Sequence, residues 1–180
     1  MKKLTTLFLA AAAAFAVLPA FGQVKMKYQP DPVFGQDRIK KLHDASPAKA
    51  AVAPAKPRKM LIFSRTSGFR HYGGIVAAKE VLKHMGEKLG VWETVISDDI
   101  NEFTPENLKK YDVVILNNPT AACFGPTNVE LDQMSKEDAK KAVQNSLQYC
   151  KNLIEYVKNG GGVVGLHSSP DCYNYDNIRC

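Results

Sequence analysis

Several motifs that carry well-known chemistry are missing from this sequence. The four cysteines include no C-x-x-C pair, which argues against a zinc site built from cysteines. The polar turn after the first apolar run, with Gly68, Gly73 and Gly74, is not a G-x-G-x-x-G or Walker sequence, so nucleotide binding is disfavoured. G-L-H-S-S at residues 165–169 lacks the G-x-S-x-G spacing that would present a serine nucleophile. The chemistry must therefore lie in less familiar patterns.

Long apolar runs are also scarce, and the clearest one lies at the start of the chain. Two lysines precede an apolar run at residues 4–18, and A-F-G at residues 20–22 offers the small residues that a signal peptidase recognises. The run is shorter than the roughly 20 residues that span a bilayer, so a membrane helix is the weaker interpretation. We predict a signal peptide at residues 1–22 and a mature chain that is exported to a periplasmic or extracellular compartment without spanning the membrane.

A basic excess is missing from the region that we expect to fold. Residues 23–59 carry nine Lys or Arg against three acids, and their Lys, Ala and Pro content predicts a solvated, semi-extended linker. The signal contributes two more lysines, so residues 60–180 have a net charge of −2 within a chain of +6. Because the positive charge lies outside the domain, we expect no nucleic-acid partner.

Residues 60–180 are enough for one domain, and apolar runs in them alternate with helical patterns. The runs predict strands at Met60 to Ser64, Trp92 to Ser97, Asp112 to Asn117 and Val163 to Leu166. The third run is apolar on both faces and should be central. The order βαβαβαβ predicts an α/β fold, flavodoxin-like or amidotransferase-like, with a parallel sheet and helices on both faces.

The predicted helices have recognisable ends. Gly90 ends the first one, and Thr104 with Pro105 begins a short second one. Ser135 begins a long helix with a predicted buried stripe of Val143, Leu147, Cys150, Ile154 and Val157. Cys150 is expected to be a packed thiol on that stripe. The four cysteines allow three complete pairings, and Cys172 and Cys180 are close enough in sequence to bridge.

Two junctions share a layout in which an apolar run ends in a polar turn with a histidine. They are M-L-I-F-S-R-T-S-G-F-R-H at residues 60–71 and G-G-G-V-V-G-L-H-S-S at residues 160–169. The carboxyl ends of parallel strands lie side by side, so His71 and His167 are predicted to share one site as catalytic residues. The predicted substrate-binding residues are Ser64, Arg65, Thr66, Ser67, Arg70, Asn117, Asn118 and Ser168.

Each of these assignments has a structural alternative. Either histidine could simply pack or cap at its turn, and Asn117 and Asn118 could form a turn before Pro119. The two histidines could also hold a divalent metal. A metal site needs three or more ligands, however, and the spacing of the residues indicates no third ligand. Any other cofactor is left unknown by the sequence.

Three segments together resemble the ThuA-like, or trehalose utilisation, family. They are F-S-R-T-S-G-F-R-H, Y-D-V-V-I-L-N-N and Y-V-K-N-G-G-G-V-V-G-L-H-S-S, and the similarity covers about residues 59–169. The family domain resembles class I glutamine amidotransferases in fold. Where those enzymes carry a nucleophilic cysteine this chain has His167, so cysteine-dependent glutamine hydrolysis is not expected.

The resemblance implies a carbohydrate as the small-molecule partner, in trehalose- or keto-sugar-related metabolism. Asp171, Tyr173 and Tyr175 would suit such a ligand. Family members continue past the G-L-H-S segment, so the resemblance also implies a truncated chain with an incomplete sheet. The expected function is to act on or bind a carbohydrate at a site around His71 and His167, and if the protein is an enzyme these two residues would serve as acid–base or polarising groups on the sugar. The alternatives are a non-catalytic carbohydrate-binding or scaffold module, or an inactive truncated relative.

Overall fold

A four-stranded parallel sheet forms the centre of the computed structural model, which describes residues 30–126 and 128–172. The strands are β1 (Lys59–Phe63), β2 (Glu93–Ile96), β3 (Val113–Asn117) and β4 (Gly162–Leu166). The helices are α1 (Gln36–Asp44), α2 (Tyr72–Leu89), α3 (Pro105–Leu108), α4 (Asn128–Asp132) and α5 (Lys136–Lys158). Two 3₁₀ turns occupy Ile100–Phe103 and Ser169–Asp171.

The strands follow the order β2-β1-β3-β4, and every pairing is parallel. This is the flavodoxin-like order. Strand β2 lies on one side of β1, whereas β3 and then β4 lie on the other side, so the switch point is between β1 and β3. The predicted parallel α/β fold is therefore confirmed, and so is the central position of β3. Strand β3 pairs with β1 on one side and β4 on the other, as its apolar residues on both faces require.

Helices cover both faces of the sheet, each over its own apolar cluster. On one face Met60, Ile62 and Ile115 pack with Leu82 of α2 and with Trp92. The other face carries a larger cluster against α3 and α5, which includes Leu61, Phe63, Phe103, Leu108, Val114, Phe124 and Tyr149. Alternate residues of β1 point to opposite faces, so one short strand contributes to both clusters. Among the described residues, no helix is long and apolar enough to cross a membrane.

The predicted helix ends are confirmed at three positions. The Thr104 side chain accepts a hydrogen bond from the Asn107 N–H at 3.4 Å, and Ser135 Oγ accepts one from the Asp138 N–H at 3.1 Å. Gly90 ends α2 with a φ of 63°, in the left-handed region. Local sequence therefore fixes where these helices begin and end.

The predicted stripe of α5 is right for the first part of the helix and wrong for the last. Val143, Leu147 and Cys150 pack against the core, but Ile154 and Val157 are each 47% exposed. Leu153 and Tyr156 take their place, and the Tyr156 hydroxyl donates to the Tyr111 carbonyl at 3.2 Å. At each turn of a long helix, either of two adjacent residues can lie on the buried face. Packing against the sheet decides which of them is buried.

The expected cysteine states also need correction. Cys172 is bonded to Cys123, with a Cα–Cα distance of 6.3 Å, and not to Cys180, which lies outside the described residues. Cys150 is buried as expected but is disulfide-bonded and not a free thiol. The fold brings residues 49 positions apart into contact, and sequence spacing could not show this. Closing a loop of that length stabilises the fold by about 4 kcal/mol in the chain-entropy account.

Part of the predicted linker is folded onto the domain. Residues 36–44 form α1 where a semi-extended segment was expected, and residues 47–58 contain no helix or strand. Phe34 is buried with the Arg38 guanidinium 3.7 Å above its ring. The His43 ring of α1 stacks on the His84 ring of α2 at 3.8 Å. These few aromatic contacts are too sparse to produce a periodic pattern, so the sequence did not reveal the helix.

Asp112 clamps the amino ends of the strands. Its carboxylate accepts hydrogen bonds from Arg58 Nη1 and the Lys59 N–H, both at 2.9 Å, and Lys56 Nζ lies 3.1 Å away. The Lys59 N–H bond, followed by the Arg58 guanidinium, lowers the pKa of Asp112 to about 2. The clamp therefore ties the segment before β1 to the start of β3.

Replacing Asp112 with Asn should reduce the free energy of unfolding at pH 7 by about 1–2 kcal/mol, because the negative charge is lost. The effect is no larger because the carboxylate is partly solvated. A folded pKa below the unfolded value adds stability above about pH 4, which is lost as pH falls towards 2. Urea unfolding should show a smaller difference in free energy between the native protein and Asp112→Asn at pH 2.5 than at pH 7. The exposed Asp132→Asn is the control, and an equal gap at both pH values would contradict the assignment.

Candidate functional site

Three polar loops meet at the carboxyl edge of the sheet. Residues 64–71 follow β1, residues 118–126 follow β3, and residues 167–171 follow β4. This edge includes the β1/β3 position, where ligands bind in flavodoxin-like folds. The Cys123–Cys172 disulfide and a parallel β-bridge between Ala121 and Cys172 join the segments after β3 and β4, and hydrogen bonds from Thr66 and Ser67 join the loop after β1 to the loop after β3. The edge is therefore a connected surface.

His71 and His167 lie side by side at this edge. Their ring centroids are 4.5 Å apart and the rings are inclined at 71°. His71 stands at the N-cap of α2 and is half-buried, whereas His167 is exposed. The juxtaposition expected from topology is present, and the catalytic role of the two residues remains a prediction. Two imidazoles in contact can accept and donate protons on neighbouring atoms of one small molecule.

A sharp turn presents His167. Its φ is 50°, in the left-handed region, which costs a residue other than glycine about 1–2 kcal/mol. Ser169 Oγ donates to the carbonyls of Leu116 and Leu166 at 2.6 and 2.9 Å, which ties the turn to β3. A Cβ on Gly165 would lie 2.9 Å from the Ser169 Cβ, so the close approach depends on glycine. Strained turns of this kind concentrate at functional sites.

The polar residues after β1 are largely committed to internal hydrogen bonds. Thr66 Oγ1 donates to the Thr120 carbonyl at 2.9 Å and accepts from the Thr120 N–H at 2.8 Å. Ser67 Oγ donates to the Ala122 carbonyl at 2.9 Å. The fully buried Ser64 accepts from Asn117 Nδ2 at 3.0 Å. These side chains join the β1 and β3 loops, and direct substrate contact by them stays a prediction.

Asn117 and Asn118 are buried in the same network. Asn117 Nδ2 also donates to the Ile75 carbonyl at 3.1 Å, and its Oδ1 accepts from Asn118 Nδ2 at 2.7 Å. Asn118 has a φ of 56°. The Asn117 amide thus ties β3 to β1 and to the first turn of α2. Their predicted role as sugar ligands is not tested by this arrangement.

Arg70 forms an ion pair with a residue that the sequence placed in the linker. Its Nε and Nη2 donate to Asp31 Oδ1 at 2.9 and 2.7 Å, and its Nη1 donates to the Ser64 carbonyl at 2.9 Å. The Arg70 side chain is only 8% exposed. Lys79 Nζ lies 3.2 Å from Asp31. Burial raises the pKa of Asp31, but the bonds from Arg70 and Lys79 outweigh it and the net shift is downward.

The other two predicted ligands are Arg65, after β1, and Ser168, which follows His167. Arg65 is half-buried and close enough to Tyr149 for its charge to act on that hydroxyl, although burial dominates and raises the Tyr149 pKa. Ser168 Oγ is buried and, within the described part of the chain, has no hydrogen-bond partner. Asp171 lies in the 3₁₀ turn after it, while Tyr173 and Tyr175 lie outside the described residues.

No three His, Cys, Asp or Glu side chains converge as a metal site would require, within residues 30–126 and 128–172. A cavity of about 650 Å³ lies at the opposite, amino end of the strands. Its lining includes Met60, Met85, Leu89 and Trp92, together with Pro47 and residues 49–52 of the segment before β1. This cavity is separate from the histidine pair.

Three residues of the edge were missed by the sequence analysis. Asp31 meets Arg70 across 39 positions, and an isolated acid in a linker gives no signal of such a pair. Thr120 joins the two loops through both its backbone and its side chain. Phe69 lies beside His71, with ring centroids 4.8 Å apart. Its position between Gly68 and Arg70 within the quoted junction was the available clue.

The fold and the histidine pair define a flavodoxin-like α/β domain with a candidate site at the carboxyl ends of its strands. Comparison with known families goes further. The chain belongs to the ThuA family, described as trehalose utilisation, whose sequence model matches residues 59–178. No curated protein and no solved structure matches the chain. The family assignment therefore rests on the domain that contains all four strands.

Replacing Asp31 with Asn should lower the free energy of unfolding by about 2 kcal/mol at pH 7, because the buried guanidinium of Arg70 and the ammonium of Lys79 lose their carboxylate. Since the folded pKa lies below the unfolded one, the loss should shrink as pH falls below about 4. Urea unfolding at two pH values measures this. Asp37→Asn, an exposed acid of the same segment, is the control, and equal effects would argue that residue 31 contributes no specific contact.

Proposed function

We propose that this ThuA-family domain acts on a carbohydrate at the carboxyl edge of its sheet, with His71 and His167 as the acid–base pair. The observation that carries the proposal is the contact between the two rings, 4.5 Å apart on turns that follow different strands. The family description, trehalose utilisation, supports a sugar as the ligand. The strained conformation of His167 supports a functional reason for its placement.

The chemistry best suited to two histidines is proton transfer next to a sugar carbonyl. One imidazole would take the proton from the carbon beside the carbonyl, and the other would donate a proton to the carbonyl oxygen, which gives an enediol without net loss of atoms. Reversal of the two steps returns the sugar, with the carbon-bound proton exchanged for one from solvent. The half-buried His71 and the exposed His167 offer two different environments for the two roles.

The test is deuterium exchange into a keto derivative of trehalose in D₂O, followed by proton NMR. His71→Ala and His167→Ala should each slow exchange at least about 100-fold while sugar affinity is retained. His84→Ala, a histidine on α2 that contacts His43, is the matched control and should exchange at the native rate. Native rates in both site variants would contradict the acid–base roles.

A second candidate is a carbohydrate-binding module without catalysis. One observation favours it: within the described residues, neither His71 nor His167 donates a ring N–H to a carboxylate or carbonyl that would orient it. Catalytic histidines are usually held in one tautomer by such a bond. Sugar binding by the native protein with no deuterium exchange would favour this module over the enzyme.

We also propose that the mature protein is exported to a periplasmic or extracellular compartment. The basic residues and apolar run of residues 1–18 support this, and so does the Cys123–Cys172 disulfide, since such bonds persist in oxidising compartments.

The full chain should be expressed in a bacterium with a cell envelope. The product should leave the cytoplasm, and its intact mass should be that of a chain that starts at Gln23. Leu9→Arg interrupts the apolar run and should leave an uncleaved cytoplasmic chain. If the native chain stayed cytoplasmic and uncleaved, the export proposal would be wrong.

A further inference from the structure

Phe69 is exposed in a way that the fold does not require. Phe69 is 73% exposed, and within residues 30–126 and 128–172 no other Phe, Tyr or Trp is exposed. Burying a phenylalanine stabilises a fold, and this chain forgoes most of that gain at residue 69. The ring therefore contributes little to the core.

The backbone of Phe69 is nevertheless held firmly. Its carbonyl accepts a hydrogen bond from Thr120 Oγ1 at 2.9 Å. The preceding Gly68 packs so closely on the β3 loop that a Cβ there would lie 2.7 Å from Thr120 Oγ1. The following Arg70 is fixed to Asp31 and to the Ser64 carbonyl. Contacts on both sides thus fix the backbone at this residue while its ring remains exposed.

The exposed ring continues the row of rings at the site. Phe69 meets His71 at 4.8 Å with the rings inclined at 72°, and His71 meets His167 at 4.5 Å and 71°. The row has an apolar ring at one end and two hydrogen-bonding rings after it. A ligand that matches this row has an apolar face and hydroxyl or carbonyl groups at its rim, and a pyranose ring has both.

We propose that Phe69 is a stacking subsite for the C–H face of a pyranose, which places the oxygen atoms of the sugar against His71 and His167. This inference rests on the carbohydrate function proposed above. The fixed backbone means that little conformational freedom is lost when the sugar binds, since the loop is already ordered. Aromatic rings with a few well-placed polar groups are the usual lining of small-molecule sites.

The test is saturation-transfer NMR and calorimetry with trehalose, comparing native protein with Phe69→Ala, Phe69→Tyr and the control Val157→Ala, an exposed apolar residue of α5. Phe69→Ala should weaken trehalose binding about tenfold and remove transfer to the C–H protons of one pyranose face. Phe69→Tyr and Val157→Ala should bind like the native protein. Because the ring is exposed, all variants should unfold at nearly the same urea concentration.

The outcomes separate this inference from the function on which it rests. If Phe69→Ala binds trehalose as tightly as the native protein while His71→Ala and His167→Ala lose deuterium exchange, the subsite is wrong and the proposed function stands. If the native protein binds neither trehalose nor its keto derivative, both proposals fall. If Phe69→Ala instead abolishes a concentration-dependent self-association of the native chain, the ring serves protein contact and the subsite is overturned.

Discussion

The parallel register of β1, β3 and β4 is the constraint on which the candidate site depends. Phe63 pairs with Leu116, so Ser64 arrives beside Asn117, and their side chains bond at 3.0 Å. Asn117 pairs with Leu166, so the next residue of that strand, His167, emerges at the same edge. A slip of one residue would reverse the faces of each strand and break both relationships. The apolar clusters on the two faces prevent that slip.

Two kinds of polar residue share this edge, and their burial separates them. Ser64, Thr66 and Asn117 are fully buried and bonded to one another or to nearby carbonyls. Their bonds satisfy groups that would otherwise destabilise a buried loop junction. Because these residues hold the loops, the rings above them can remain partly or fully exposed. The edge therefore consists of a buried polar network that holds the loops and a row of aromatic side chains that is more exposed.

Much of the fold was predictable because it depends on local pattern. The four strands, the central position of β3 and the caps at Thr104 and Ser135 follow from apolar runs and capping residues. The contact between His71 and His167 followed from topology, since both come directly after parallel strands. What escaped prediction depends on contacts between distant residues. Asp31 with Arg70, Cys123 with Cys172 and the choice of Tyr156 over Val157 are decided only when the chain is packed.

The ion pair of Asp31 with Arg70 lies partly outside the region that the family model covers. The family's sequence model starts at residue 59, which lies 28 positions after the acid that holds Arg70. A recombinant chain cut at that boundary would keep every strand but lose the carboxylate, the buried Phe34 and helix α1. The family model marks the part that relatives share, whereas in this chain residues 31–44 also pack against that part.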